Sequence, residues 1–338
     1  MTSTRPAPVG VVGFMRSPPD ASPSLSFSPN ELSASAMVLI VLSFVLRIVP
    51  GLSNLLFPPL KPSKTIEGYD LPSVKTQGLL KITEQDEQKF RRAMRATGKT
   101  ASDGNPLFLF SLTSPLMLIL LSNASLPISP LGSVNTSNEF IFHEYDVCSS
   151  YSQLRALASA HRLSYTAAVD GAGVRTRRGV EVQVTLNVLL DRSTKLLTQH
   201  LKLLQFLSKS AKPAFRDDGK SSAPEPETAS ETKSYSMEIK GDDTDAWAAS
   251  CLDYNPIHIS KLGAKLFGQA SRIAHGNHVL ALACELHRDV LSERKPSSIS
   301  VKFVKPVNLP ARLDFSWTEN SLEVVQKGKT RVVARLQM

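Results

Sequence analysis

Residues 275–291, HGNHVLALACELHRDVL, constrain the fold more than any other stretch of the chain. Val279, Leu280, Ala281, Leu282, Ala283 and Cys284 leave the first half of this helix without a polar face. A helix that is apolar all round has to be enclosed by protein. The segments after it are β-like: SSISVKFVKPVNLP (297–310), ARLDFSW (311–317) and SLEVVQKGKTRVVARLQM (321–338), with a glycine-containing turn at Lys327 to Lys329. One buried helix with several strands in a single-domain length predicts a sheet wrapped around a helix.

The same recipe occurs earlier. In PLFLFSLTSPLMLILL (106–121) the triplet Thr113-Ser114-Pro115 reads as a helix start and predicts a short buried helix over 115–122. GVEVQVTLNVLL (179–190) alternates and is β-branched, whereas STKLLTQHLKLLQFL (193–207) suits either strand or helix. The expected organisation is α+β and duplicated. A leader covers 1–60, with its first 35 residues disordered, and a polar connecting segment with one helix near 84–96 covers 61–105. A divergent first unit spans 106–208, a Pro/Ser/Glu/Lys linker 209–234, and a second unit 235–338.

Within the leader, AMVLIVLSFVLRIVPGLSNLLF (36–57) is long enough to cross a bilayer, which takes about 20 residues. Arg47 and Pro50 interrupt it, and a central charge costs roughly 3 kcal/mol on insertion scales. A membrane anchor, a cleaved targeting segment and a peripheral leader are all open, so the expected location is membrane-associated or organellar, mitochondrial before peroxisomal. The final Arg-Leu-Gln-Met does not match a peroxisomal signal. The net charge of +9 is spread out and no nucleic-acid signature accompanies it, so an acidic phosphorylated ligand is as good a match. Cys148, Cys251 and Cys284 are odd in number and widely spaced, which fits neither a disulfide framework nor a zinc site and favours a reducing compartment.

The chemistry-bearing stretch is CLDYNPIH (251–258). Asn255 suits a helix N-cap and Pro256 the first helical position. Ile259, Leu262 and Leu266 recur at helical spacing, and Gly268 is a stop, so one short helix is expected from about Pro256. Asp253 lies in the turn before it and His258 in its first turn. Taken alone, each has an ordinary reading, as a turn residue and as a solvated histidine.

DYNPIHIS, followed by AKLFG (264–268) and RIAHG (272–276), resembles the MaoC-like dehydratases, the (R)-specific enoyl-thioester hydratases of hot-dog fold. ISVKFVKPVNLPARLDF (299–315) resembles the later strands of that family, and LPISPLGSVNTSNEF (126–140) with 179–190 the first half of its double hot-dog members. The implied fold is a double hot-dog. Carried over by position, Asp253 and His258 are the expected catalytic pair holding a water, and Gly276 donates its backbone N–H to the thioester carbonyl. The sequence departs from the family at Leu252, where glycine is common, and at Asn277, where methionine is common.

Those roles make chemical sense. Adding water to an enoyl thioester needs a base, an acid and hydrogen bonds to an enolate-like oxygen, and a carboxylate with an imidazole supplies the first two near neutral pH. Gly276 opens a buried helix, where first-turn N–H groups and the dipole favour a developing oxyanion. Asn255, Ser271 and His275 are expected around the substrate, His275 mainly to shape the turn, and Lys302 and Lys305 are candidates for the phosphates of CoA or a phosphopantetheine arm. No metal and no cofactor beyond that carrier is expected. His143, His161, His200, His278 and His287 have no partner pattern, and Cys251 has no nucleophile logic around it. The expected partner is an acyl-CoA or acyl-carrier-protein thioester, with homodimerisation and membrane contact through 36–57 as further expectations. A non-catalytic acyl-thioester-binding or assembly subunit, suggested by Leu252 and the divergent first half, and a hot-dog thioesterase are the competing readings.

Overall fold

The computed structural model of the chain describes residues 9–19, 21–49, 51, 55–64, 68–99, 103–131, 133–207 and 232–338; most of the linker expected at 209–234 lies outside them. The chain begins with helices α1 (Val11–Met15) and α2 (Ala34–Ile48), the short strands β1 (Lys61–Pro62), β2 (Gly68–Asp70) and β3 (Lys75–Leu79), and helix α3 (Glu84–Ala93). Helix α4 (Phe108–Ser122) and strand β4 (Val134–Phe142) follow. Helices α5 (Tyr145–Ser149) and α6 (Tyr151–Ser159) lead to the strands β5 (Leu163–Arg175), β6 (Gly179–Leu190) and β7 (Thr194–Phe206). The second half runs through β8 (Lys233–Ile239), α7 (Gly241–Cys251), α8 (Pro256–Ile259), α9 (Lys261–Leu266), α10 (Gly276–Leu286) and α11 (Arg288–Arg294). It closes with β9 (Ser298–Phe303), β10 (Ala311–Trp317), β11 (Ser321–Gln326) and β12 (Lys329–Gln337).

All these strands join one antiparallel sheet, in the order β1-β2-β5-β6-β7-β4-β9-β12-β11-β10-β8, with β3 also on β5. The two halves meet where β4 pairs with β9, in the register Ser137↔Lys302, Asn138↔Val301, Glu139↔Ser300, Phe140↔Ile299 and Ile141↔Ser298. Each half holds one enclosed helix, α4 or α10, and in α10 every residue from Asn277 to Leu286 is buried. This is the expected double hot-dog. The ambiguous stretch 193–207 is a strand, because the β6–β7 ladder commits its backbone along nearly its full length.

Helix α4 starts earlier than its sequence suggests, at Phe108, with Pro115 inside it. The hydroxyls that resemble caps bond backward instead: Ser111 Oγ donates to Phe108 O and Thr113 Oγ1 to Leu109 O, both at 2.8 Å. That keeps buried hydroxyls satisfied inside a helix and removes the cap signal. The segment 61–105 is more than a connector, since β2 and β3 extend the first half-sheet along β5.

Described residues of the leader are packed, contrary to the disorder their composition suggests. Phe14 and Ile40 are fully buried, and Leu25 N donates to Gln77 O. The apolar run from 36 does not form one long span. Helix α2 stops at Ile48, about 22 Å long against the roughly 30 Å of a bilayer core. Among the described residues no helix is long and apolar enough to cross a membrane. Arg47, a costly charge within a membrane span, caps the end of α4. Its guanidinium donates to Leu121 O and Asn123 O at 2.6 Å and also to Ile128 O. A cation at a helix C-terminus meets both the orphan carbonyls and the dipole. Burial pushes the Arg47 pKa down to about 10, which leaves it charged at neutral pH. The opposite face of α2 exposes Val38, Leu39, Val41, Leu42, Val45 and Ile48.

Candidate active site

Asp253 is placed by a turn that the sequence builds residue by residue. Helix α7 ends at Cys251, and Leu252 after it takes φ 54° and ψ 21° in the left-handed region. Asp253 Oδ1 then accepts from Asn255 N at 3.2 Å, and Asn255 Oδ1 accepts from Ile257 N at 3.3 Å, so one carboxylate and one amide lock the bend. Pro256 opens α8 as expected, but the helix lasts only to Ile259. Ser260 is extended and caps α9 through Gly263 N at 3.1 Å. A Cβ on Gly263 would lie 2.6 Å from Pro256 Cβ and 2.7 Å from its carbonyl oxygen, which is why glycine permits α9 to close on α8. The single helix expected from Pro256 is therefore two. Leu262 and Leu266, read as its apolar face, are 69% and 77% exposed.

Leu252 explains its own departure. Only glycine enters the left-handed region freely, and another residue costs roughly 1–2 kcal/mol there. The leucine holds the left-handed backbone that a glycine would enter without strain, and the chain turns there toward Asp253. Leu252→Gly is expected to raise the unfolding midpoint by a few degrees, less whatever the half-buried leucine contributes, and to leave any turnover unchanged. Thermal unfolding of the pair checks this, and a midpoint several degrees lower would contradict it.

The turn brings Asp253, His258 and His275 together. One carboxylate oxygen and one nitrogen from each ring lie within 4.8 Å of one another. The His258 and His275 rings stack with centroids 3.7 Å apart and an interplanar angle of 27°. Each ring spends one nitrogen on a backbone carbonyl: His258 Nδ1–H donates to Ile273 O at 2.8 Å and His275 Nε2–H to Asp253 O at 3.1 Å. A carbonyl only accepts, which fixes both tautomers and leaves His258 Nε2 and His275 Nδ1 as lone pairs in the neutral rings. His275 Nε2 also lies 3.6 Å from Asp253 Oδ2. By composition the three side chains could hold a divalent cation or a water.

Electrostatics keep the rings neutral. Burial lowers the His258 pKa first, with Arg272 adding to it, while Asp253 and the Ile273 carbonyl pull the other way. Burial, and then the neighbouring His258 and His278, hold His275 well below the usual range. A neutral His258 has a lone pair to accept a proton across neutral pH. Burial drives the Cys251 thiol well above its usual value, with Asp253 next, so it stays protonated and inert.

Of two residues that sequence reasoning passed over, Arg272 holds this site and His278 is buried in α10 beside it in sequence. Arg272 Nε donates to His258 O at 2.7 Å, and its Nη2 reaches Gly241 O at 3.2 Å and Asp245. It ties the Asp253–His258 turn to the start of α7, and the acidic first turn GDDTD (241–245) is the available signal. His278, set aside as a bystander, is fully buried, stacks on Trp247 with centroids 5.1 Å apart, and donates from Nε2 to Ala93 O at 3.0 Å. His287 likewise stacks on Trp317 at 4.5 Å.

Burial lowers the pKa of His278 and of His287 to about 4. In the unfolded chain each takes a proton near pH 6.5, so between those values the unfolded state binds more protons and stability falls with falling pH. His278 alone should cost about 2 kcal/mol at pH 5 relative to pH 7.5. Chemical unfolding at the two pH values checks this; equal stability would contradict it.

The other expected substrate contacts are spread out. Asn255 shapes the turn. The Ser271 hydroxyl donates to Arg272 O at 3.1 Å, so it is used locally. Lys302 and Lys305 are exposed, Lys302 on β9 and Lys305 past its end. Gly276 opens α10 with the ring of Phe303 against it, since a Cβ there would lie 2.4 Å from two ring carbons. Its N–H belongs to the first helical turn, which has no intrahelical acceptors.

Comparisons with known proteins agree with this architecture. Residues 222–337 match the MaoC like domain family. The 3-hydroxyacyl-thioester dehydratase X of Mycobacterium tuberculosis is 28% identical over 228 residues, 64% of this chain and 70% of that protein. The crystal structure of the M. tuberculosis protein HtdX superposes with a TM-score of 0.56 at 21% identity, covering 78% of this chain and 99% of that one. Peroxisomal multifunctional enzyme type 2 from Drosophila melanogaster gives 0.53 at 15% identity, over 78% of this chain and 48% of the larger protein.

Proposed function

From a MaoC-like domain in its second half, we propose that the chain is a hydro-lyase acting on acyl thioesters in fatty acid metabolism. The reaction is reversible hydration of a trans-2-enoyl thioester to the (R)-3-hydroxyacyl thioester, with CoA or an acyl carrier protein as the carrier. The observation that carries it is the cluster at the start of α10. A carboxylate and a neutral imidazole with a bare Nε2 stand together, beside a glycine N–H at the head of a buried helix.

Each group has one task. Asp253 and His258 hold a water, and as its oxygen bonds to C3 its proton passes to the pair. The C2–C3 double bond shifts its electrons toward the thioester carbonyl, whose oxygen gains charge and takes a hydrogen bond from Gly276 N–H. The pair then returns the proton to C2 and ends as it began. Dehydration runs the same steps backward. His275 holds the turn through Asp253 O and braces the His258 ring by stacking.

Leu252, one of the two grounds for a non-catalytic relative, takes a left-handed backbone open to glycine, and the divergent first half is the other ground, so the assay has to separate the two readings. The test uses the full chain, because Phe14 and Ile40 lie in the core. Crotonyl-CoA, longer 2-enoyl-CoA and the matching acyl-carrier-protein thioesters are offered, and loss of enoyl absorbance is followed with a thiol assay in parallel. Hydration without thiol release is the expected result. Thiol release would identify a thioesterase, and binding without turnover across chain lengths and both carriers would overturn the proposal.

A further inference from the structure

The departure at Asn277 has a partner in the other half. Asn277 is the second residue of α10, directly after Gly276, and it is buried at 7% exposure. Its Oδ1 accepts a 2.7 Å hydrogen bond from Nδ2 of Asn138, which lies on β4 in the first half and is 3% exposed. The two residues are 139 positions apart. Asn138 sits on the seam strand opposite Val301, two residues before Phe303, whose ring packs on Gly276. The start of α10 therefore rests on the junction of the two half-sheets.

The pairing is directed at the helix. Asn138 Oδ1 is buried and finds no partner among the described residues, so the bond to Asn277 is the one polar contact its side chain makes there. A buried amide placed only to satisfy itself would have both ends bonded, since an unpaired polar atom costs about 1–3 kcal/mol. Here that cost is accepted for one bond, at the residue adjoining the N–H proposed to meet the carbonyl oxygen. Donors of this kind act by being preorganised, and a displacement of a few tenths of an ångström weakens them.

Resting on the proposed hydration, we infer that Asn138 is a positioning residue for Gly276, acting through Asn277, so that the half without the catalytic pair sets the oxyanion donor of the half that has it. Asn138→Leu leaves the Asn277 amide buried with no partner beside Gly276, and the first turn of α10 loosens to find one. Adding Asn277→Met removes that stranded amide and puts methionine, common at this place in the resembling family, against leucine.

Three proteins are compared: the wild type, N138L and N138L/N277M, each at a temperature well below its own unfolding midpoint. N138L is expected to lose about tenfold in kcat with KM within threefold, and peptides covering 276–279 to exchange amide hydrogens faster. N138L/N277M is expected to recover kcat to within threefold of wild type and to slow that exchange again. A residue that only adds stability would not move kcat per folded molecule. The inference is overturned if N138L keeps its kcat and exchange, or if N277M compounds the loss. Should N138L not fold, N277M alone strands Asn138 and must show the same kcat loss, relieved in the double variant. Wild-type turnover is read first. Its absence removes the hydration reaction, and amide exchange at 276–279 across the same variants then decides the pairing by itself.

Discussion

Asp253→Asn and His258→Ala are each expected to lower kcat for enoyl-thioester hydration by about 10²–10⁴-fold, the usual worth of a positioned acid or base. Asn at 253 keeps a side-chain oxygen for the Asn255 N–H, so the turn that depends on this bond survives and the loss falls on proton transfer. His258→Ala removes more, because the ring also stacks on His275 and bonds Ile273 O. Its unfolding midpoint must be measured alongside, and turnover read where the variant is folded. In the proposed reaction the two groups serve one water, so the double variant should be scarcely slower than the worse single one. The wild-type kcat/KM should fall on acidification below neutral pH as His258 gains a proton and its lone pair is lost. It should hold steady from neutrality upward, because burial keeps that pKa below the ordinary histidine value. Turnover at wild-type rate in both single variants would remove the pair from the mechanism.

Gly276→Ala is expected to damage both stability and the proposed turnover, because it adds a methyl at the head of α10. The new Cβ would lie 2.4 Å from Cδ1 and Cε1 of Phe303 and 3.0 Å from its Cγ, so either the ring or the head of α10 has to move. Overpacking of this kind costs about 1–3 kcal/mol of stability. Moving the helix start also displaces the proposed donor, and loss of one such donor lowers kcat by about 10²–10³-fold. Phe303→Ala in the same chain separates the two effects. If the ring is the obstacle, the double variant regains most of the kcat even though it forfeits the apolar contact of Phe303. An alanine at 276 with undiminished kcat would show that the donor lies elsewhere.

Much of this was legible in residues and spacing, and what was missed follows a pattern. The apolar run 279–284 announced an enclosed helix because no face of it suits water. The turn DYNPIH was readable because a cap, a proline and two titratable residues leave little conformational choice. Short-range chemistry read well. Long-range partners did not: Asn138 and Asn277, or Arg272 and Asp245, meet only after the sheet and α7 have formed, and nothing local marks them. Hydrophobicity was ambiguous where burial and membrane insertion leave the same trace. Ile40 and Phe44 are apolar because they pack, and Arg47 interrupts the run because it reaches the carbonyls ending α4. Leu262 and Leu266 show the reverse error, helical spacing without a core to face.

The β4–β9 ladder also bears on dilution. Two hot-dog units on separate chains would meet only as often as their concentration allows, and their pairing would weaken whenever the protein became scarce. Here the linker makes the encounter intramolecular, so the donor-setting half is present at a fixed high effective concentration however few molecules there are. On the proposed function one chain would carry one complete site, and specific activity is then expected to be constant over orders of magnitude in enzyme concentration. The second half expressed alone would leave β9 with an open edge, ready to pair with any strand that reaches it.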